Sequence, residues 1–115
     1  MPLEAQKYLF DIQQAINLID GFCAGKSFAD YQHDPMLRSA VERQFEIVGE
    51  AVSRLAEVSP ALAEKLPEYR RIIAFRNILI HAYATIDDRI VWGVVEGKLP
   101  HLRAEVEKLL AADPD

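Results

Sequence analysis

The chain has 115 residues, half of them hydrophobic and 27% charged, the balance of an ordinary globular domain rather than a disordered segment. Its formal net charge of −5 argues against a broad nucleic-acid-binding face and leaves room only for a local basic cleft. The single cysteine, Cys23, excludes an internal disulfide framework, and no apolar run approaches the ~18 residues of a membrane span.

The opening M-P-L-E-A-Q-K lacks the basic-then-apolar pattern of a secretory signal. A soluble cytoplasmic protein, one domain over residues 1–115, is therefore expected, with no membrane partner. Ala5, Tyr8, Ile12, Ala15, Ile19 and Phe22 then recur at three- and four-residue steps, which predicts a first helix of about five turns ending near Gly25. Cys23 reads as a small buried hydrophobe beside Phe22. F-A-D-Y-Q-H is expected to be a connection.

Asp34-Pro35 is a strong helix start, a capping side chain followed by proline at the first helical position. From there Leu37, Val41, Phe45, Val48, Val52 and Leu55 predict a long helix packed lengthwise on another. Gly49 lies inside it at a cost of about 1 kcal/mol relative to Ala, which a close helix–helix approach would explain. Between Pro60 and Pro67 a short capped turn or helix is expected.

A third major helix should start near Glu68, and a break follows around A-T-I-D-D with Asp87 as N-cap of the next helix. Pro100 should kink or restart that helix, while Leu99, Leu102, Val106 and Leu109 carry its stripe towards the C-terminus, where A-A-D-P-D should fray. No segment alternates with a two-residue period, so no strand is predicted. The expected fold is all-α: an antiparallel four-to-five-helix bundle that forms dimers.

The third helix holds R-N-I-L-I-H-A-Y, Arg76 to Tyr83, inside the most apolar stretch of the chain. Apolar residues surround its axis on every side, so Arg76, Asn77 and His81 should be partly buried or face a groove or subunit interface. At 100° per residue Asn77 and His81 share a stripe, Arg76 and Tyr83 share another, and Arg76 and His81 stand about 140° apart. Convergence of that pair needs a wrapped Arg side chain, a distorted helix end, or two copies meeting across an axis.

The chemistry such a set supports is metal-independent RNA cleavage. His81 would move protons at the ribose 2′-hydroxyl or the leaving group, and Arg76 would stabilise the charge on phosphorus. The structural alternative is an Arg76 paired to Glu46 or Glu50 of the long helix and a His81 bonded to a carbonyl. Glu50 and Arg54 also have the spacing of a solvated surface pair. His33 and His101 read as surface residues, Trp92 as core or dimer-interface packing. With no metal-ligand spacing and no Gly-rich phosphate loop, neither a metal nor another cofactor is expected.

Arg76-Asn77-x-x-x-His81-x-Tyr83 resembles the R-x4-H-x-Y signature of HepT-like toxins, small helical ribonucleases of the HEPN superfamily made beside an MntA-type minimal nucleotidyltransferase antitoxin. Q-F-E-I-V-G-E-A-V-S-R-L at Gln44–Leu55 is similar to the family's second long helix. I-V-W-G-V-V-E-G-K-L-P-H-L at Ile90–Leu102 is similar to the segment after its motif. The resemblance implies that Arg76 and His81 are the catalytic pair of an RNA endonuclease whose cleft forms at a homodimer interface, with Asn77 supporting. It implies that Tyr83 receives AMP from ATP through the cognate nucleotidyltransferase antitoxin, which silences the toxin. The alternative is a non-catalytic helical module that binds a nucleotidyltransferase or nucleotide without cutting RNA.

Overall fold

In a computed structural model of the chain, residues 1–81 and 86–112 are described, and every regular element among them is helical. The order is α1 (Leu3–Cys23), α2 (Phe28–His33), α3 (Pro35–Val58), α4 (Pro60–Ala63), α5 (Tyr69–His81), α6 (Asp88–Gly93), a π-helical turn (Val94–Lys98) and α7 (Leu99–Ala112). No strand occurs among the described residues, in line with the missing two-residue alternation.

The molecule measures 45 × 29 × 19 Å, and the short dimension is about two helix diameters. The bundle is thus two layers thick. α1 and α3 make the most extensive contact, α7 lies against α1, and α5 rests on α3. All six residues of the predicted α3 stripe are buried, from Leu37 to Leu55. Each fully buried aliphatic side chain contributes roughly 1.5–3 kcal/mol of transfer free energy, so this one face is a main source of stability. On α1 the buried set is Ala5, Leu9, Ile12, Ala15, Ile16, Ile19 and Cys23, whereas Tyr8 and Phe22 sit at the margin of the core.

Local signals set most boundaries. Gly25 follows α1 at φ +73°, a left-handed position that suits glycine. Asp34 caps α3, its carboxylate accepting from the Leu37 N–H at 3.0 Å, with Pro35 at the first helical position. Asp87 caps α6, accepting from the Arg89 N–H at 2.9 Å. Trp92 belongs to the core, 5.3 Å from the fully buried Tyr31 ring.

One expectation needs correction. F-A-D-Y-Q-H is a helix, α2, started by a capping box: the Asp30 N–H donates to Ser27 Oγ, and the Ser27 N–H donates to Asp30 Oδ2. The restart expected at Pro100 is present as a change of helix type, since α7 begins at Leu99 directly after the π turn. The chain runs from α6 through the π turn into α7, with the Leu99 N–H reaching back to the Val94 carbonyl. Proline lacks the N–H that would bond four residues back, and the wider turn just before it absorbs that loss within one continuous path.

α5 departs most from its sequence pattern. Only Leu79 is buried, Ile78 is 56% exposed, and the helix packs chiefly on α3. An all-round apolar helix therefore sits at the edge of the chain rather than in its middle, which is the groove-or-interface form of the expectation. Glu68, just before it, has φ +54°, an uncommon backbone for a residue with a side chain. Its carboxylate accepts from Arg71 Nη1 at 3.0 Å and Lys98 Nζ at 2.7 Å, tying the start of α5 to the π turn. Those cations, Lys98 foremost, hold the Glu68 carboxyl below its ordinary range.

Candidate functional site

Arg76 is seated by a missing side chain. A Cβ on Gly49 would lie 2.2 Å from the Arg76 Cβ, 2.7 Å from its Cγ and 3.4 Å from the Ile72 carbonyl oxygen. Helices α3 and α5 therefore cross at Gly49, and the crossing plants the base of Arg76 on α3. The close approach expected for Gly49 is present, and it falls on the very residue proposed as catalytic.

From there the guanidinium reaches back along α3. Nη2 donates to Glu50 Oε2 at 2.5 Å, and Nη1 donates to Asn77 Oδ1 at 2.9 Å. Nε is buried and has no hydrogen-bond partner among the described residues. Glu50 thus answers which carboxylate faces the motif, while Glu46 pairs with Arg43 at 3.3 Å. Glu50 also keeps its expected surface partner, accepting from Arg54 Nε at 3.1 Å through its other oxygen. The surface-pair reading and the Arg76-partner reading are therefore both correct.

Arg76 opens into a groove of about 420 Å³. Its floor is the α3 face that carries Arg43, Glu46, Glu50 and Arg54; Lys7, Tyr8 and Asp11 of α1 form one wall, Arg76 and Ile80 of α5 the other. Lys7 pairs with Asp11 at 2.8 Å. The groove is local but mixed in charge, with Lys7, Arg43, Arg54 and Arg76 set against Asp11, Glu46 and Glu50, and is not the basic cleft that the total charge left room for.

His81 closes α5 and is exposed, as is Asn77. No hydrogen bond or ion pair joins His81 to Arg76 among the described residues, and His81 does not line the groove. The fold therefore brings Asn77 to Arg76 and leaves His81 apart within one chain, as the 140° separation requires. Tyr83 lies outside the described residues. His33 and His101 are both exposed, the former with Nδ1 2.8 Å from the Ala29 carbonyl. No group of three or more His, Cys, Asp or Glu side chains is gathered as a metal site among the described residues, and no helix there is long and apolar enough to cross a membrane.

The model of the family described as "Ribonuclease HepT-like" matches residues 12–109, most of the chain, including Glu50, Arg54, Arg76, Asn77 and His81 but not the wall residues Lys7, Tyr8 and Asp11. The chain belongs to the HepT-like ribonuclease family. Its relatives include "Probable ribonuclease HepT" of Thermococcus cleftensis, 37% identical over 102 residues that cover 89% of this chain and 92% of that one. Two proteins provisionally named as RNases are also similar. One is from Methanocaldococcus jannaschii, 33% identical over 90% of this chain and 94% of its own. The other, from Caldanaerobacter subterraneus, is 34% identical over 90% and 91%. No solved structure matches this HepT-like chain.

Proposed function

We propose that this HepT-like protein is the toxin of a HEPN–nucleotidyltransferase toxin–antitoxin pair, a metal-independent RNA endonuclease that acts as a homodimer. The observation that carries the reading is the seat of Arg76. A glycine that leaves room for the base of Arg76 and an acidic partner on another helix hold one guanidinium at a groove wall, in a chain of a ribonuclease family.

In the proposed reaction His81 accepts the proton of a ribose 2′-hydroxyl, the freed oxygen attacks the adjacent phosphorus, and the 5′-oxygen leaves with a proton returned to it. Arg76 neutralises charge on the non-bridging oxygens, and Asn77 holds the guanidinium plane. Each His81 meets an Arg76 of a second copy, which the exposed apolar side of α5 is suited to bring close. AMP transferred from ATP to Tyr83 by the antitoxin, with release of pyrophosphate, adds an anion seven residues along the chain from Arg76, competing with RNA phosphate and closing the cleft.

The deciding assay incubates the purified protein with RNA in excess chelator. Cleavage should persist, and Arg76→Ala and His81→Ala should each lower kcat by about 10²–10⁴-fold while the variants stay folded. Full cleavage by both variants, or none by the parent, would reject the reaction. Intact-mass measurement with the nucleotidyltransferase and ATP should show whole AMP increments that disappear in Tyr83→Phe. RNA left whole while the partner still binds would favour the non-catalytic module instead.

A further inference from the structure

Among the described residues, Glu50 is the one groove carboxylate shared by two arginines from different helices. Oε1 takes Arg54 Nε at 3.1 Å and Oε2 takes Arg76 Nη2 at 2.5 Å. The other groove cations have local partners of their own, Lys7 with Asp11 and Arg43 with Glu46. Arg54 has a second and looser contact, Nη1 to Glu57 Oε2 at 3.9 Å.

Two oxygens on one central atom, each held by a separate guanidinium, is also the arrangement that holds the two non-bridging oxygens of a phosphodiester. The Glu50 side chain is 43% exposed and Arg54 54%, so the carboxylate can turn out to solvent without burying a charge. Exposed pairs of this kind are weak and easily exchanged. Arg76, 28% exposed and fixed over Gly49, stays where it is.

We infer that Arg54 and Arg76 form a two-guanidinium site for an RNA phosphodiester, and that the Glu50 carboxylate is its resting occupant, displaced when RNA binds. Arg54 then becomes a substrate-binding residue contributed by α3, outside the R-x4-H-x-Y motif. Glu50 is a built-in competitor that keeps Arg76 oriented and masked until a phosphate arrives. The site rests on the ribonuclease reading, since its ligand is that reaction's substrate.

The test measures binding of a 2′-O-methyl RNA oligonucleotide, which cannot be cleaved, by fluorescence anisotropy over a range of salt. Glu50→Gln should bind roughly two- to tenfold more tightly, because a neutral amide competes poorly for two cations. Arg54→Ala should bind several-fold more weakly and flatten the slope of log K against log salt by about 0.7, the value for one phosphate contact on a single strand. Lys108→Ala removes the same charge from α7, where Lys108 pairs with Glu105 and does not line the groove, and should leave affinity and slope as they are. Circular dichroism checks that each variant is folded.

A Glu50→Gln variant that binds no tighter, or an Arg54→Ala variant that keeps the parent's affinity and slope, overturns the site while the ribonuclease reading stands. Equal losses in Arg54→Ala and Lys108→Ala overturn it too, by tracing the effect to net charge. A parent that fails to bind the oligonucleotide at all removes the site and the ribonuclease reading together.

Discussion

Gly49 costs α3 about 1 kcal/mol of helix propensity relative to Ala, yet the space it leaves is occupied at once by the Cβ and Cγ of Arg76. Both atoms are held close to the α5 backbone, so a methyl group at position 49 cannot be met by rotating a flexible side-chain end. Gly49→Ala should therefore push the two helices apart. Overpacking of this sort costs about 1–3 kcal/mol, which meets or exceeds the propensity gained. The expected outcome is a melting temperature lower by several degrees, with a proportionally larger loss of RNA cleavage because Arg76 moves with the helix. A rise in melting temperature would mean that propensity wins and the crossing is loose. At this scale the sequence was informative about the glycine, because a costly residue in a helix interior asks for a reason. It was silent about the acidic partner, because Glu46 and Glu50 are one turn apart on one face and only the crossing point selects between them. The pairing of Asn77 with Arg76 needed no tertiary information, since the residues are neighbours.

Elements were legible wherever a capping side chain preceded an apolar stripe. Asp34 and Asp87 mark α3 and α6 by chemistry confined to four residues. The same logic was available for α2, where Ser27 and Asp30 have capping-box spacing, but six residues are too few for a stripe to stand out. Asp30 also gives α2 a pH dependence. The Ser27 backbone N–H and then its hydroxyl hold the Asp30 carboxyl below its ordinary value. A depressed folded pKa stabilises the protein above the unfolded value and is lost as pH falls through the folded one. Asp30→Asn should thus be less stable than the parent at neutral pH, with the gap closing in acid as the parent's carboxylate takes up its proton. Urea unfolding of both proteins from pH 7 to below pH 3 measures this, and a constant gap would separate the box from Asp30 ionisation. Glu42 acts in the opposite sense, its carboxyl raised by burial and by Asp88, but it is common to both proteins and cancels in the comparison.

For the whole molecule, the open question is what covers α5. Its pattern asks for apolar neighbours on all sides, and one chain supplies them mainly through α3, leaving Ile78 more than half exposed. Hydrophobic periodicity records that a face is buried in the working state without recording which chain buries it, so a central helix and an interface helix read alike. The second copy of the proposed homodimer would answer both the packing and the 140° between Arg76 and His81. Ile78→Glu should then shift the protein from dimer to monomer in sedimentation at micromolar concentration, with secondary structure kept and RNA cleavage lost. The stronger test mixes two inactive proteins, Arg76→Ala and His81→Ala. If each site takes Arg76 from one copy and His81 from the other, a mixed dimer holds one site with both groups intact and one with neither. Random exchange in an equal mixture makes half the dimers mixed, so cleavage should return to about a quarter of the parent's level. Parent-level ceilings matter less than the sign, because each variant alone must stay inactive. No recovery, in a mixture shown by mass to contain mixed dimers, would place the arginine and histidine of each site on one chain, and the end of α5 would then have to bend to join them.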